Sequence, residues 1–263
     1  MTTTLDIREF RQTDGFMSWI FQGTGDRLVV VFSGIGKLDQ ETQPYEFARS
    51  ATGGGAHSVL YLSDTTRSWL NREGIIADIR ALVDKAKAQL GASRVATLGH
   101  SMGGFSAAVM AGPLEADNAV CLSPQNSVHP DVAGDDPRWA HFRENISEFR
   151  VRDVAEYLCD GPVYTVLFGR HGREAPQRDR FPARENVDFF VVPNTVHNTP
   201  MRLKKAGRLD LFIRAATNGK RRRVRQIMFE EFGVLPERDR APSPGSGESD
   251  TLHTGRDLPG DAV

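Results

Sequence analysis

Cysteine is scarce in this chain: two among 263 residues, Cys121 and Cys159. That excludes a disulfide-stapled scaffold and fits a reducing compartment. Long apolar runs are missing as well. No stretch approaches the roughly 18 consecutive apolar residues of a membrane-spanning helix, so no membrane span is expected. The start, "MTTTLDIREFRQTDG", has no basic segment leading into an apolar one. A secretory signal is therefore not expected, and the expected location is cytoplasmic. Charge of one sign is not in excess: 33 Lys and Arg face 34 Asp and Glu, a net charge of -1. Such a balance gives no general attraction to nucleic acid or anionic lipid, and a nucleic-acid partner is not expected. Metal-ligand spacings such as HExxH do not occur, so neither a metal nor a cofactor is expected. Internal repeats are absent, and no feature speaks to oligomeric state.

What is present is the composition of a globular protein, 39% hydrophobic and 25% charged. The length suits one large domain with a buried core. Short apolar runs end in Gly, Ser, Asp, Pro or Asn: "LVVVFSG", "SVLYLSD", "RVATLG", "AVCLSP", "VYTVLFG" and "VDFFVVPN". They are continuous rather than alternating, as in strands covered on both faces of a parallel sheet. Two earlier stretches, "LDIREF" and "FMSWIFQG", alternate more and predict an antiparallel edge hairpin. Helical spacing predicts a helix over Asn71–Leu90 with Asn71 as its cap, a short one over Gly104–Ala111 and a last one over Arg202–Ala216. The alternation of strands and helices predicts an α/β fold, a mostly parallel doubly wound sheet flanked by helices.

The expected organisation is a domain over 1–218 with a short lid insertion at about 125–160. The insertion's distinctive part is the Pro- and charge-rich Asp131–Leu158, with two short helical stretches. A basic amphipathic segment follows at 219–235; its Lys220–Arg223 cluster is expected to be a solvated helix start. The tail 236–263 has almost no large apolar residues and is expected to be disordered.

"TLGHSMGG", Thr97–Gly104, carries the chemistry. Gly99-x-Ser101-x-Gly103 follows a predicted buried strand and opens a small-residue helix, the context of a nucleophile elbow. There the serine oxygen stands at a helix N-terminus, where negative charge is favoured. An oxyanion needs two fixed donors. The candidates are the backbone N–H groups of Met102, after the serine, and Ile35, in "FSGIG" after an earlier strand. A serine hydroxyl also needs a base. His197, in "PNTVHN" past the last predicted strand, lies at the same sheet edge. His100, beside the serine, is expected to point away into packing. An acid should lie between them in the chain, after the penultimate strand. "FGRHGREAPQRDRF" offers Glu174, nearer the strand end, or Asp179, on the following turn; Asp131 and Asp135 are more remote.

On "FSGIG", "GHSMGG" and "PNTVHN", residues 16–216 resemble the α/β-hydrolase superfamily. "YLSDTTRSWLN" and "LSPQNSV" resemble a bacterial branch of small-lidded serine hydrolases within it. The resemblance implies the α/β-hydrolase fold and a Ser-His-acid mechanism: attack by Ser101, proton transfer by His197, and an oxyanion held by Ile35 and Met102. It also shows a departure. Family members carry Gly-x-x-Asp after the penultimate strand, where this chain reads Gly169-Arg170-His171-Gly172. The acid is then either displaced to Glu174 or Asp179, or missing.

The expected activity is hydrolysis of a carboxylic ester or related acyl bond in a small-molecule substrate. An acyltransferase using the same site, or a catalytically idle binding or scaffold protein, is the alternative. Gly34, Trp69 and Gln125 are candidate substrate contacts, with Trp139 as a further cleft wall. Arg67, Arg170 and Arg173 are candidates for drawing anionic substrates to the mouth.

Overall fold

The computed structural model describes residues 5–13, 15–37, 40, 42–134 and 136–237. Its strands are β1 (Arg8–Thr13), β2 (Phe16–Phe21), β3 (Arg27–Phe32), β4 (Ser58–Asp64), β5 (Arg94–His100), β6 (Asn118–Leu122), β7 (Val163–Gly169) and β8 (Val187–Val192). Its helices are α1 (Ala48–Ala51), α2 (Ile75–Leu90), α3 (Met102–Met110), α4 (Pro130–Ala133), α5 (Ala140–Arg143), α6 (Ala175–Arg178), α7 (Thr199–Lys205), α8 (Leu209–Thr217) and α9 (Arg221–Phe232).

The strands form one sheet in the order β1-β2-β4-β3-β5-β6-β7-β8. Pairing is antiparallel on both sides of β2 and parallel from β4 to β8. The expected edge hairpin is there, with its first strand shifted to Arg8–Thr13 because Thr13 pairs directly with Phe16.

The continuous apolar runs are explained by cover on both faces. Along β3, Leu28, Val30 and Phe32 join the core under α2 and α3. Val29 and Val31 point into the opposite core, with Phe212 and Ile213 of α8 and Ile227 and Met228 of α9. Helix α3 is buried on every side, which is why it is built of Gly, Ala, Ser, Val, Phe and Met.

Two helix boundaries differ from expectation. The long helix starts at Ile75 behind Gly74 (φ 75°), not at Asn71. Asn71 is buried and ties loops instead: its Nδ2 donates to the carbonyls of Ser68 and Trp69, and its Oδ1 accepts from the Val151 N–H. The expected helix over Arg202–Ala216 is two helices, α7 and α8, parted at Gly207, whose φ of 68° no continuing helix permits.

Residues 125–160 contain α4, α5 and a 3-10 turn over Val154–Glu156. The basic segment folds as α9. It buries Val224, Ile227 and Met228, and its Arg221 and Arg225 each reach the buried Asp188 of β8 at 2.7 Å. Burial alone would raise the Asp188 pKa, but hydrogen bonds from these two arginines outweigh it and hold the carboxyl below its ordinary value. Both cysteines are free thiols. Among the described residues no helix is long and apolar enough to cross a membrane. Residues 238–263 of the expected tail, and Asp135, lie outside the described residues.

Candidate active site

The end of β5 turns into α3 through Ser101, at φ 59° and ψ -122°. That conformation costs a non-glycine residue about 1–3 kcal/mol and persists only where neighbours impose it. The imposing contacts are backbone to backbone. A Cβ on Gly99 would lie 2.1 Å from the Gly103 carbonyl oxygen, and one on Gly103 would lie 2.1 Å from that of Phe32. Hence α3 presses against the end of β3 and the turn cannot relax. The Ser101 N–H donates to the Leu122 carbonyl of β6 at 2.9 Å, tying the elbow to the next strand.

His197 follows β8 on a loop whose exit is capped by Asn198, which accepts from the Met201 N–H and starts α7. The loop packs on the end of β7, where a Cβ on Gly169 would stand 2.0 Å from the Val196 carbonyl oxygen. His197 Nε2 lies 2.9 Å from Ser101 Oγ, and its Nδ1 lies 3.0 Å from Glu174 Oε2. Glu174 closes a 3-10 turn over Gly172–Glu174, in which His171 Nδ1 accepts from the Arg173 N–H. Of the two acids left open, the structure thus brings Glu174 to His197. Asp179 is 60% exposed and pairs with Arg178 at 2.7 Å. Asp131 is also exposed, facing Arg152 and His129.

Glu174 is 1% exposed, and its second oxygen accepts from Arg138 Nη1 at 2.6 Å. Burial pushes its pKa upward. The His197 hydrogen bond and the Arg138 charge outweigh this and leave the carboxyl below its ordinary value, so it stays ionised at neutral pH. Arg138 in turn grips the buried Asp136 with Nε and Nη2, and Asp136 accepts from Gln177 Nε2 at 3.1 Å. The other end of the Gln177 amide accepts from the N–H groups of Asn126 and Ser127. A network of insertion and α6 residues therefore fixes the acid. The sequence reading did not find Arg138, Asp136 or Gln177; no motif or spacing marks them.

Met102 is the first residue of α3, where a helix leaves its N–H groups without an intrahelical acceptor. Ile35 sits in the loop after β3, and its carbonyl accepts from Arg67 Nε at 3.0 Å. Among the described residues no hydrogen bond engages the N–H of Ile35 or Met102. Arg67 also donates to the carbonyls of Lys37 and Gln40 and lies over the Phe142 ring of α5. It is committed to holding this loop, not free at the mouth as expected; Arg170 and Arg173 are exposed. Gly34 fits between the Glu46 carboxyl and the His100 carbonyl, 3.2 and 3.3 Å from where its Cβ would be. Burial raises the Glu46 pKa to about 7, against the hydrogen bond from the Gly34 N–H.

The remaining candidates depart from expectation. Trp69 is fully buried and lines no open cleft; its Nε1 donates to Gln125 Oε1 at 3.1 Å. Gln125 is fully buried too, and its Nε2 donates to Ser101 Oγ at 2.9 Å. Trp139 does reach the site: its ring lies 5.5 Å from that of His197, with Arg138 stacked on it at 4.5 Å. His100 is part-buried and packs against His197, with the two rings 5.0 Å apart. Its Nε2–H donates to the His197 carbonyl at 3.1 Å. Burial first, then the His197 ring, push its pKa down to about 4, so the donor tautomer is the neutral one. A cavity of about 710 Å³ is lined by His100 and Asn198, the chain neighbours of the two site residues, together with Glu46, Met201, Lys204 and Asp210. Among the described residues no group of three or more His, Cys, Asp or Glu side chains is arranged to hold a metal ion.

This architecture matches known proteins. Residues 59–158 match the family model described as alpha/beta hydrolase fold. An esterase from Pyrococcus furiosus is 17% identical, with 81% of this chain and 92% of that one covered at a TM-score of 0.52. A hormone-sensitive lipase from a metagenome library is 15% identical, with 83% and 86% covered and a TM-score of 0.56. Est1E from Butyrivibrio proteoclasticus is 12% identical, with 83% and 98% covered and a TM-score of 0.53. No curated protein matches. The fold is that of the α/β hydrolases.

Proposed function

We propose that the protein is a serine hydrolase that cleaves a carboxylic ester or related acyl bond of a small molecule. The observation that carries this reading is the unbroken chain Ser101 Oγ–His197–Glu174, with contacts of 2.9 and 3.0 Å. With Glu174 ionised and bonded to Nδ1–H, the Nε2 of His197 is left as the acceptor for the serine proton. Ser101 Oγ then attacks the acyl carbon while its proton passes to Nε2. The carbonyl π pair moves onto oxygen, where the N–H groups of Met102 and Ile35 are the donors we assign. Collapse expels the alcohol, which takes the proton from His197. Water repeats the sequence in reverse, giving its proton to His197 and freeing the acid and Ser101.

The contact between Glu174 and His197 weighs against a catalytically idle scaffold, for which the displaced acid and the basic, tailed C-terminus were the reasons. Acyl transfer to an alcohol is the second reading. Ser101 is only 5% exposed and the Trp139 ring lies against that of His197, and shielding from water favours acceptors other than water.

A fluorophosphonate probe tests the proposal. The wild type should be labelled and Ser101→Ala should not. An unlabelled wild type, or equal labelling of Ser101→Ala, overturns it. Product analysis of a short-chain ester with and without added alcohol separates hydrolysis from transfer.

A further inference from the structure

We propose that Gln125 is a further catalytic residue, an amide donor to the nucleophilic oxygen, and that Trp69 is the positioning residue that sets its orientation. This rests on the serine-hydrolase reading above. A serine hydroxyl has one proton and two lone pairs. The proton of Ser101 is directed at His197 Nε2, and Gln125 Nε2 lies 2.9 Å from the same oxygen, within reach of a lone pair.

The two ends of a glutamine amide differ in chemistry but not in shape, so the partner decides which end faces where. Here the partner is unambiguous. An indole N–H can only donate. Trp69 Nε1 is 3.1 Å from the Gln125 amide, so the oxygen must face Trp69 and the NH2 must face Ser101. Both side chains are fully buried, away from bulk solvent.

The loop that carries the indole is held in an unusual shape. Arg67, Trp69 and Leu70 have φ of 50°, 48° and 60°. Such values are rare for non-glycine residues and cluster where geometry serves function. The Asn71 side chain, bonded to the Ser68 and Trp69 carbonyls and to the Val151 N–H, maintains them.

The chemistry gives the donor a defined moment of action. As the Ser101 proton passes to His197 Nε2, negative charge grows on Oγ, and a hydrogen bond to a charged acceptor is stronger than one to a neutral hydroxyl. Once Oγ is bonded to the acyl carbon, its lone pairs are drawn into the ester and the bond weakens. When water attacks and the C–Oγ bond breaks, charge returns to Oγ and the bond strengthens again until His197 restores the proton. Gln125 thus lowers both barriers relative to the covalent intermediate and contributes little to substrate binding.

The test is the rate of fluorophosphonate labelling of the full chain, resolved into kinact and KI. In that reaction the Oγ–P bond forms, the P–F bond breaks, the proton goes to His197 and fluoride leaves. Gln125→Met and Trp69→Phe should each lower kinact about tenfold with KI unchanged. The double variant should be no slower than Gln125→Met alone, since Trp69 acts only through the amide. A merely structural role would lower Tm and leave kinact at the wild-type value, and that result overturns the proposal. Effects of the two substitutions that multiply overturn the assignment of Trp69. If Gln125→Met does not fold, Gln125→Leu removes the donor in a different apolar shape; an unchanged kinact there also overturns it. An unlabelled wild type is a different failure: it removes the serine-hydrolase reading and this one with it.

Discussion

The two ends of the hydrogen-bonded chain are held in opposite ways. Ser101 is fixed by backbone: glycines at positions 99 and 103 let β5, α3 and β3 meet at distances that admit no Cβ. Glu174 is fixed by side chains: Arg138 and Asp136 from one stretch and Gln177 from another form the network that orients it. A backbone device is compact in sequence and rigid. A side-chain network is dispersed in sequence and titratable. The Ser101 end should therefore fail mainly through loss of fold, and the Glu174 end mainly through loss of charge.

The largest expected effect tests the backbone side. Gly103→Ala should cost more than about 4 kcal/mol, because strand and helix must part to admit the methyl. Chemical denaturation measures this, and a variant that folds and labels normally would break the contrast. Next comes Glu174→Gln. If Glu174 acts through its charge and bond to His197, kcat should fall about 10³- to 10⁴-fold, with a smaller loss of stability from the weakened Arg138 pair. A large loss of Tm with kcat retained would make Glu174 structural instead.

Arg138→Met should follow, at about 3 kcal/mol, since it leaves two buried carboxylates without their cation. Its pH dependence has a definite sign. The Glu174 pKa is depressed in the folded protein, so its stabilising contribution is present above its unfolded value and is lost as pH falls through the folded one. Removing Arg138 raises the folded pKa, so both stability and kcat should begin to fail at a higher pH than in the wild type. Denaturation midpoints and kcat measured across the acid range report this.

The smallest effect concerns Glu46, a titratable group on the backbone side. Its folded pKa of about 7 lies above the ordinary 4.5, so its ionisation opposes folding as pH rises through that interval. Glu46→Gln should stabilise the protein by about 3 kcal/mol at pH 8 and by little at pH 4.5. An equal gain at both values would assign the effect to packing.

The same contrast explains what was legible in the sequence. Ser101 and His197 stand out because each sits in a short stretch, "GHSMGG" and "PNTVHN", whose small or capping residues are dictated by the local chain path. The six buried strands are legible because a sheet covered on both faces has no polar side to interrupt the run. Glu174 was narrowed only to a choice with Asp179, because a carboxylate two residues past the usual position has no local mark. Arg138 was invisible: its meaning is a contact across 36 residues of sequence. Trp69 and Gln125 were noticed but taken for cleft surface, since burial of a polar pair 56 residues apart cannot be read from either stretch alone. The break at Gly207 was missed because the apolar spacing runs on across it.

Arg138 reaches Glu174 from the insertion, between α4 and α5. This part of the chain is therefore no interchangeable cap. Replacing this stretch by the corresponding one of another protein of the fold would remove one of the groups that hold Glu174 ionised, unless an arginine is supplied at the same point. Within the segment the inward pair matters most: Arg138 and Asp136 can be replaced without loss only if the surroundings of Glu174 are changed with them.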